Sequence, residues 1–258
     1  MAANCQITED DATAADRLFD GRLILHQPAS GHRIGTDAVL LAAAAPPLAR
    51  GLIVDVGAGA GAVGLALAQI NPGAEAVLLE KNPRAAAFAR QNVAANALAA
   101  RTRVVETDLF DVFSRKAQGL VEAADLVVTN PPFLNAGESR ASPDSDRAMA
   151  HMLDAGGIEK WLRASLALLR PGGVFALIHR ADALDALLAA LSGRLGGLEI
   201  LPVFPKQQEK AVRVILRGRK GAKTPLALLP GLVLHGEGGG FTPRAEELHR
   251  RGGRLFDD

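Results

Sequence analysis

The chain has 258 residues, 48% of them hydrophobic and 22% charged, with a formal net charge of +1. This is enough for one large domain, or a domain with appendages, around an aliphatic core. The single cysteine, Cys5, excludes an internal disulfide and favours a reducing cytosol. Residues 1–20 show no signal-peptide pattern, and the apolar run Ala38–Ala45 stops at Pro46-Pro47, so we expect a soluble, cytoplasmic protein that spans no membrane.

The first part of the chain carries weak structural signals. Residues 1 to about 20 are polar and acidic, and they are predicted to be loosely attached. Arg22–Gln27 alternates enough to be a short strand. Thr36 is predicted to be the N-cap of a helix over Ala38–Ala45, with Asp37 in its first turn.

Strand and helix patterns then alternate, which predicts an α/β fold, a Rossmann-like doubly wound sheet. The predicted strands are 51–56, 76–80, 103–106, 125–129 and 174–179, and the predicted helices are 61–70, 83–95, 156–169 and 182–192. Asn82 and Pro83 suit the start of a helix.

The last part of the chain ends the alternation. No helix separates 198–203 from 211–217, so these segments are predicted to form a hairpin at the sheet edge. Glycine-rich 218–240 is predicted to be a loop, followed by a short helix from Thr242-Pro243. We therefore divide the chain into an N-terminal extension (1–45), a catalytic domain (46–217) and a C-terminal basic loop and helix (218–258).

A glycine-rich turn follows the first predicted strand of the sheet. The strand contains Asp55, and Gly57, Gly59 and Gly61 follow it. Glycines let the backbone turn tightly and lie against a ligand. Because the chain also has Gly64, its spacing fits a dinucleotide-type motif, which by itself is weak support for any one cofactor.

Polar residues lie at or just after the ends of the next predicted strands. Glu80 ends the second, Asp108 follows the third, and Asn130 follows Leu126–Thr129. Parallel strands open their carboxyl ends at one edge of the sheet, where ligands bind in α/β folds. We therefore expect these residues and Asp55 to meet there, with Glu80 accepting hydrogen bonds from the hydroxyls of a ribose.

The run Asn130-Pro131-Pro132-Phe133 predicts a stiff turn past a strand end, since prolines fix the backbone and lack an N–H. An amide oxygen, a carbonyl and an aromatic face in such a turn suit an exocyclic amino group on a planar substrate. The alternative interpretation is an ordinary turn with a buried phenylalanine.

Two cofactors suit a glycine turn followed by a ribose-binding acid. NAD requires space for a pyrophosphate, whereas S-adenosylmethionine is cationic at its amine and sulfonium and has no phosphate. Asp55 beside the turn favours S-adenosylmethionine. A nicotinamide enzyme remains an alternative, although the chain has no tyrosine to serve it, and so does a protein that only binds cofactor or RNA.

In these motifs the chain resembles the class I S-adenosylmethionine-dependent methyltransferases over roughly residues 50–217. Asn-Pro-Pro-aromatic is the signature of those that methylate adenine N6, guanine N2 or a glutamine amide. The segment His32–Leu41, with Thr36 and Asp37, and the segments Arg147–His151 and Lys206–Arg217 are similar to bacterial tRNA adenine-N6 methyltransferases, which act beside the anticodon of a valine tRNA. The resemblance implies a seven-stranded, mostly parallel sheet with one antiparallel member.

The resemblance also implies roles for these residues. The cofactor would contact Thr36, Asp37 and the residues at the strand ends, including Asn130. The amide oxygen of Asn130 and the Pro131 carbonyl would accept the two hydrogens of an adenine amino group, and Phe133 would stack on the base. His151 is an expected substrate contact. No histidine or cysteine cluster has metal-ligand spacing, so we expect no metal site.

Basic residues concentrate towards the end of the chain. Residues 1–130 hold 14 acidic and 11 basic residues, whereas residues 201–258 hold 11 basic and 6 acidic ones. The cluster comprises Lys206, Lys210, Arg213, Arg217, Arg219, Lys220 and Lys223. Clustered bases beside an amino-methyltransferase core predict RNA phosphate contacts, above all at Arg217, Arg219 and Lys220, with tRNA as the expected partner.

Overall fold

The computed structural model describes residues 13–28, 35–131 and 157–256. Its strands are β1 (Thr13–Leu18), β2 (Leu23–Pro28), β3 (Gly51–Val56), β4 (Ala74–Glu80), β5 (Thr102–Glu106), β6 (Ala124–Thr129), β7 (Leu169–Arg180), β8 (Leu195–Phe204), β9 (Arg213–Lys220), β10 (Ala227–Leu228) and β11 (Leu232–Val233). Its α-helices are α1 (Thr36–Ala44), α2 (Ala62–Ile70), α3 (Pro83–Ala95), α4 (Val112–Ala117), α5 (Gly157–Leu166), α6 (Leu184–Leu191) and α7 (Pro243–Arg251), and a 3₁₀ turn, Ala181–Ala183, precedes α6.

The main sheet runs in the order β10-β8-β9-β7-β6-β3-β4-β5, and β11 also pairs with β8. In this sheet β9 is antiparallel to both its neighbours, and the other described pairings are parallel. The predicted α/β class, the hairpin and the single antiparallel strand are therefore confirmed. The hairpin is not at the edge, and the described sheet has nine strands in place of the predicted seven, because the short strands β10 and β11 extend the sheet beyond β8.

Helices cover both faces of the sheet, because side chains of successive strand residues point to opposite faces. In β6, Val128 belongs to an aliphatic cluster that includes buried residues of α1 and α2. Its neighbour Val127 belongs to the opposite cluster, which includes Trp161 of α5 and Leu187 of α6. This layering leaves the carboxyl edge of the parallel strands between the two helix layers. None of the helices within the described ranges is long and apolar enough to cross a membrane.

Helix starts follow local chemistry in part. Asn82 caps α3 by accepting hydrogen bonds from the backbone N–H groups of Arg84 and Ala85, as its pairing with Pro83 predicts. Thr242 caps α7 in the same way through Ala245. The prediction for Thr36 is wrong: Gly35 is the N-cap of α1, and Thr36 is its first helical residue.

The N-terminal region contains the short strand predicted over Arg22–Gln27, found as β2, and a second strand, β1, that the sequence did not predict. β1 and β2 form an antiparallel two-stranded sheet that pairs Thr13 with Pro28 through to Leu18 with Leu23. Leu23 and Leu25 are fully buried in the hydrophobic cluster that also contains residues of α2 and α3. The expectation that residues up to about 20 are loosely attached is therefore wrong for Thr13–Leu18, which pairs with the next strand along the chain.

A candidate cofactor and acceptor site

The strand register brings polar residues to one edge of the sheet. Val56, the last residue of β3, pairs with Leu79 on one side and with Thr129 on the other. Glu80 pairs with Glu106 at the end of β5. The glycine turn, Glu80, Asp108 and Asn130 thus follow adjacent positions along a single edge, where the parallel strands open.

The glycine turn is held against the neighbouring strand. The backbone N–H groups of Gly57 and Ala58 both donate to the Leu79 carbonyl, at 2.9 and 3.1 Å. Gly57, Gly59 and Gly61 all have positive φ, which disfavours other residue types. A Cβ at Gly57 would lie 3.0 Å from the Trp161 ring, whereas a Cβ at Gly59 would meet nothing within 4 Å. Gly59 therefore faces open space at the edge of the sheet.

Glu80 anchors this turn from the next strand. It is 8% exposed, and its two carboxylate oxygens accept hydrogen bonds from Gly59 N and Asn82 N, each at 2.8 Å. A carboxylate oxygen can accept more than one hydrogen bond, so each retains capacity for a ligand hydroxyl. Glu80 thus links the conformation of the turn to any ligand that it holds.

Asp55 lies beneath the turn rather than on its surface. It is 2% exposed, and its Oδ2 accepts a hydrogen bond of 2.8 Å from Gly64 N at the start of α2. Burial, and to a smaller extent the nearby Glu80 carboxylate, raises the pKa of Asp55 to about 7, against the opposing effect of the Gly64 hydrogen bond. A cofactor cation beside it would favour its charged form.

The raised pKa of Asp55 predicts a specific pH dependence of stability. The unfolded carboxyl titrates near 3.8 and the folded one near 7, so folding takes up a proton between these values. The stabilising contribution is present below the lower value and is lost as the pH rises through the higher one, by at most about 1.4 kcal/mol per pH unit. Urea unfolding of the cofactor-free protein and of Asp55→Asn at pH 5, 6, 7 and 8 should show the wild-type protein losing stability relative to the variant. A constant difference would contradict the prediction.

Asn130 offers an unused acceptor at the same edge. Its Oδ1 is buried, yet it accepts no hydrogen bond from any residue in the described part of the chain. The next residue, Pro131, is buried. A buried acceptor without a donor carries a free-energy penalty, which a ligand N–H would relieve. The other predicted acceptor-site residues, Pro132, Phe133 and His151, lie outside the described residues.

Trp161 supports both the glycine turn after β3 and the strand end that carries Asn130, and the sequence did not lead us to predict this role. Its Nε1 donates to Thr129 Oγ1 at 3.0 Å, and that hydroxyl donates to the Val56 carbonyl at 2.9 Å. This chain of hydrogen bonds connects the residue before Asn130 to the residue before Gly57. Trp161 is the one tryptophan in the sequence, a signal that could have drawn attention to it.

The remaining predicted cofactor contacts are engaged with protein groups. Asp37 Oδ2 accepts a 2.9 Å hydrogen bond from Arg213 Nε at the start of β9. Thr36 Oγ1 lies 3.2 Å from His249 Nε2 of α7. Asp108 is exposed, and its Oδ1 accepts a hydrogen bond from Phe110 N. The sequence did not indicate that a distant strand and a distant helix hold Asp37 and Thr36.

The basic cluster does not form one surface. Because β9 is antiparallel, Arg213 lies opposite Arg180 at the carboxyl edge, whereas Arg219 lies opposite Val174 near the other edge. Six residues of strand span about 20 Å. Lys220 Nζ donates to Glu122 and to two backbone carbonyls, and Arg219 donates to the Gly172 carbonyl.

The prediction that Arg217 contacts an RNA phosphate is not supported by its position. It is 7% exposed, its Nε donates to Glu199 at 2.8 Å, and its guanidinium stacks on the Phe256 ring. This side chain is used inside the fold and is not placed to bind a phosphate. No group of three or more metal-ligating side chains occurs within the described ranges.

Comparisons of sequence place this arrangement among known proteins. The model of the methyltransferase small domain family matches residues 30–183. A tRNA1(Val) (adenine(37)-N6)-methyltransferase of Porphyromonas gingivalis is 33% identical over 232 residues, which cover 87% of this chain and 89% of that protein. The protein of the same name from Aeromonas salmonicida is 31% identical over 220 residues, or 84% and 88% of the two chains.

Solved structures give the same picture of the fold. A crystal structure of a protein from Agrobacterium tumefaciens, described as a predicted O-methyltransferase, has a TM-score of 0.70 and 32% identity, and covers 86% of this chain and 99% of its own. The 16S rRNA N2 G1207 methyltransferase of T. thermophilus, in complex with AdoMet and guanosine, has a TM-score of 0.53 at 21% identity. The second match covers 81% of this chain and half of the other, and at that identity it shows likeness of fold alone.

Proposed function

The chain belongs to the methyltransferase small domain family, and within it to the tRNA1(Val) (adenine(37)-N6)-methyltransferases; from this premise we propose that it methylates N6 of adenine 37 in a valine tRNA. An amino group is favoured as the methyl acceptor because the buried Asn130 Oδ1 has no hydrogen-bond donor among the described residues, and an N–H of the substrate could supply one. Because the substrate is tRNA, we place the enzyme in the cytoplasm.

The site fits S-adenosylmethionine, the cofactor of this family. Gly59 faces open space at the sheet edge, where a Cβ would meet no atom within 4 Å. Glu80 would accept hydrogen bonds from the ribose hydroxyls. Asp108 would supply a further acceptor, and the cationic cofactor would favour the charged form of buried Asp55, whose pKa burial raises to about 7. When bound, this cofactor supplies an electrophilic methyl group.

The chain's own residues would prepare the acceptor nitrogen. An adenine amino group is a poor nucleophile because its lone pair is delocalised into the ring. Hydrogen bonds from its two hydrogens to Asn130 Oδ1 and to the Pro131 carbonyl would favour a pyramidal nitrogen. Trp161 and Thr129 hold the strand end that carries Asn130, so the backbone at Asn130 would be positioned before the substrate arrives. Phe133 would stack on the base.

Rival acceptors differ in what they require of Asn130. Guanine N2 and a glutamine amide each present an N–H donor and would also satisfy its buried oxygen. A hydroxyl acceptor would offer one hydrogen and need a base to take it. The identity to named adenine-N6 enzymes over most of the chain favours adenine among these.

The acceptor class can be tested with fractionated substrates. The protein is incubated with labelled S-adenosylmethionine and, separately, with tRNA, rRNA, DNA and protein from cells lacking the endogenous activity. We expect label in tRNA, recovered after digestion as N6-methyladenosine. Label recovered as N2-methylguanosine or methylglutamine, without N6-methyladenosine, would contradict the adenine assignment.

We further propose that Lys206 and Lys210 contact RNA phosphates. Both are exposed in the turn between β8 and β9, which lies at the same edge as Asn130. The double variant Lys206→Ala/Lys210→Ala should raise the KM for tRNA and flatten the log–log salt dependence of binding by about 0.7–0.9 per lysine. Cofactor affinity should not change.

The matched control for this prediction is Arg219→Ala/Lys220→Ala. It removes the same number of charges from the opposite edge of the sheet, so tRNA binding should stay close to that of the wild-type protein. A larger loss of tRNA affinity in this control than in the lysine variant would reverse the assignment of the RNA surface.

A further inference from the structure

Helix α3 presents two asparagines to strand β2. Asn92 Oδ1 accepts a hydrogen bond from His26 N at 2.6 Å, and Asn92 Nδ2 donates to His26 O at 2.9 Å. Asn96 makes the same pair of bonds with Ile24, at 2.9 and 2.6 Å. Four residues of helix rise about 6 Å, and two residues of strand about 6.6 Å. The two amides therefore match the spacing of the strand and dock the N-terminal hairpin onto α3.

Asn92 makes one contact that Asn96 does not. Its Nδ2 also donates to the Ala60 carbonyl at 2.9 Å, and the Asn92 side chain is fully buried. Ala60 stands between Gly59, which faces open space, and Gly61, whose φ of +92° sets the start of α2. A single buried amide thus joins the cofactor turn to the N-terminal hairpin.

This contact completes the support of the turn. From the sheet side, Gly59 N donates to Glu80 and Gly57 N donates to the Leu79 carbonyl. From the helix side, the Ala60 carbonyl accepts the Asn92 amide. The N–H of the peptide between Ala60 and Gly61 donates to the Ala58 carbonyl at 2.8 Å, so removing the Asn92 amide takes away one of the two hydrogen bonds that hold this peptide. With one bond fewer, the turn would sample other conformations, because Gly59 and Gly61 tolerate many backbone conformations.

We propose that Asn92 is a positioning residue for S-adenosylmethionine, and that it makes the hairpin Thr13–Pro28 part of the cofactor site. It presets the turn, so the cofactor does not have to order that segment on binding. The inference rests on the cofactor assignment and is independent of which RNA is methylated.

The test compares Asn92→Ala with Asn96→Ala, measuring cofactor affinity by calorimetry and thermal stability without cofactor. Both variants lose two hydrogen bonds to β2, so both should lower Tm. Asn92→Ala alone should weaken cofactor binding, by at least about tenfold, and raise its KM more than it lowers kcat. Asn96→Ala should stay within about threefold of the wild-type affinity. Equal cofactor affinity in the two variants would overturn the proposal.

Hydrogen exchange of the wild-type protein tests the same coupling without a substitution. Coupling between two sites is reciprocal, so cofactor binding should slow exchange of the Ile24 and His26 amides. Exchange at these amides that is unaffected by saturating cofactor would overturn the proposal even if Asn92→Ala fails to fold. Wild-type protein that binds no S-adenosylmethionine would overturn the cofactor assignment as well, whereas failure to methylate tRNA would overturn only the proposed acceptor.

Discussion

Asn130→Ala should lower the rate of methyl transfer by about two to three orders of magnitude, the effect expected when one preorganised hydrogen-bonding group is removed from a reaction centre. The Asn130 side chain holds a buried oxygen that no described residue uses, so we expect it to act on the substrate. Cofactor affinity should change little, because Gly59, Glu80 and Asn92 hold the turn without help from Asn130. Single-turnover rates with saturating tRNA and calorimetry with S-adenosylmethionine separate the two effects.

Thr129→Val is the matched comparison for Asn130→Ala. It removes the hydroxyl that connects Trp161 to the Val56 carbonyl but leaves the Asn130 amide in place. We expect a smaller fall in rate together with a loss of stability, since two buried partners lose their hydrogen bonds. Near-normal turnover by Asn130→Ala would show that the assigned role of Asn130 is wrong.

Glu80→Ala should weaken S-adenosylmethionine binding by about 1–3 kcal/mol, the cost of leaving buried polar groups without an acceptor. This corresponds to a rise in Kd of about 5- to 150-fold. The substitution removes the acceptor for the ribose hydroxyls and also releases the Gly59 and Asn82 N–H groups. Calorimetry gives the Kd, and circular dichroism verifies that the fold persists.

Glu106→Ala provides the control for Glu80→Ala. Glu106 ends the neighbouring strand and pairs with Glu80 in the register, but its side chain is 39% exposed and bonds to Arg90. An exposed ion pair contributes little, so we expect an unchanged cofactor Kd. If the two variants bind the cofactor equally well, Glu80 is not the ribose acceptor.

The sequence predicted the parts of the fold that local chemistry determines. Asn82-Pro83 fixed the start of α3, and the apolar runs before Gly57 and Asn130 identified β3 and β6. Since parallel strands open at one edge, the relation between Glu80, Asp108 and Asn130 followed from chain order alone. Glycine and proline signals marked turns because their backbone restrictions need no distant partner.

Features that depend on distant partners were predicted poorly. β2 packs Leu23 and Leu25 into the main core and gives β1 a partner to pair with, and this packing against distant helices is not visible in the local sequence. Thr36 was taken for a cap because its residue type prefers that position, but its hydroxyl lies beside His249, more than 200 residues away in sequence. Arg217 was predicted to be a surface base, but the structure pairs it with Glu199 on the neighbouring strand and stacks its guanidinium on Phe256. The direction of a basic side chain, and the edge of the sheet at which it lies, depend on how its strand pairs with its neighbours. A count of charges along the sequence does not reveal this pairing.

The most direct test is to map the methyl group in a single purified substrate. Unmodified tRNA1(Val) is incubated with the enzyme and S-adenosylmethionine, digested to nucleosides and to oligonucleotides, and analysed by chromatography and mass spectrometry, beside a transcript with guanine at position 37. The account predicts one methyl group per tRNA, at N6 of adenine 37, and no product from the guanine transcript. A 2′-O-methyl nucleoside, which has the same mass but a different retention time, or a methyl group at another position would contradict it.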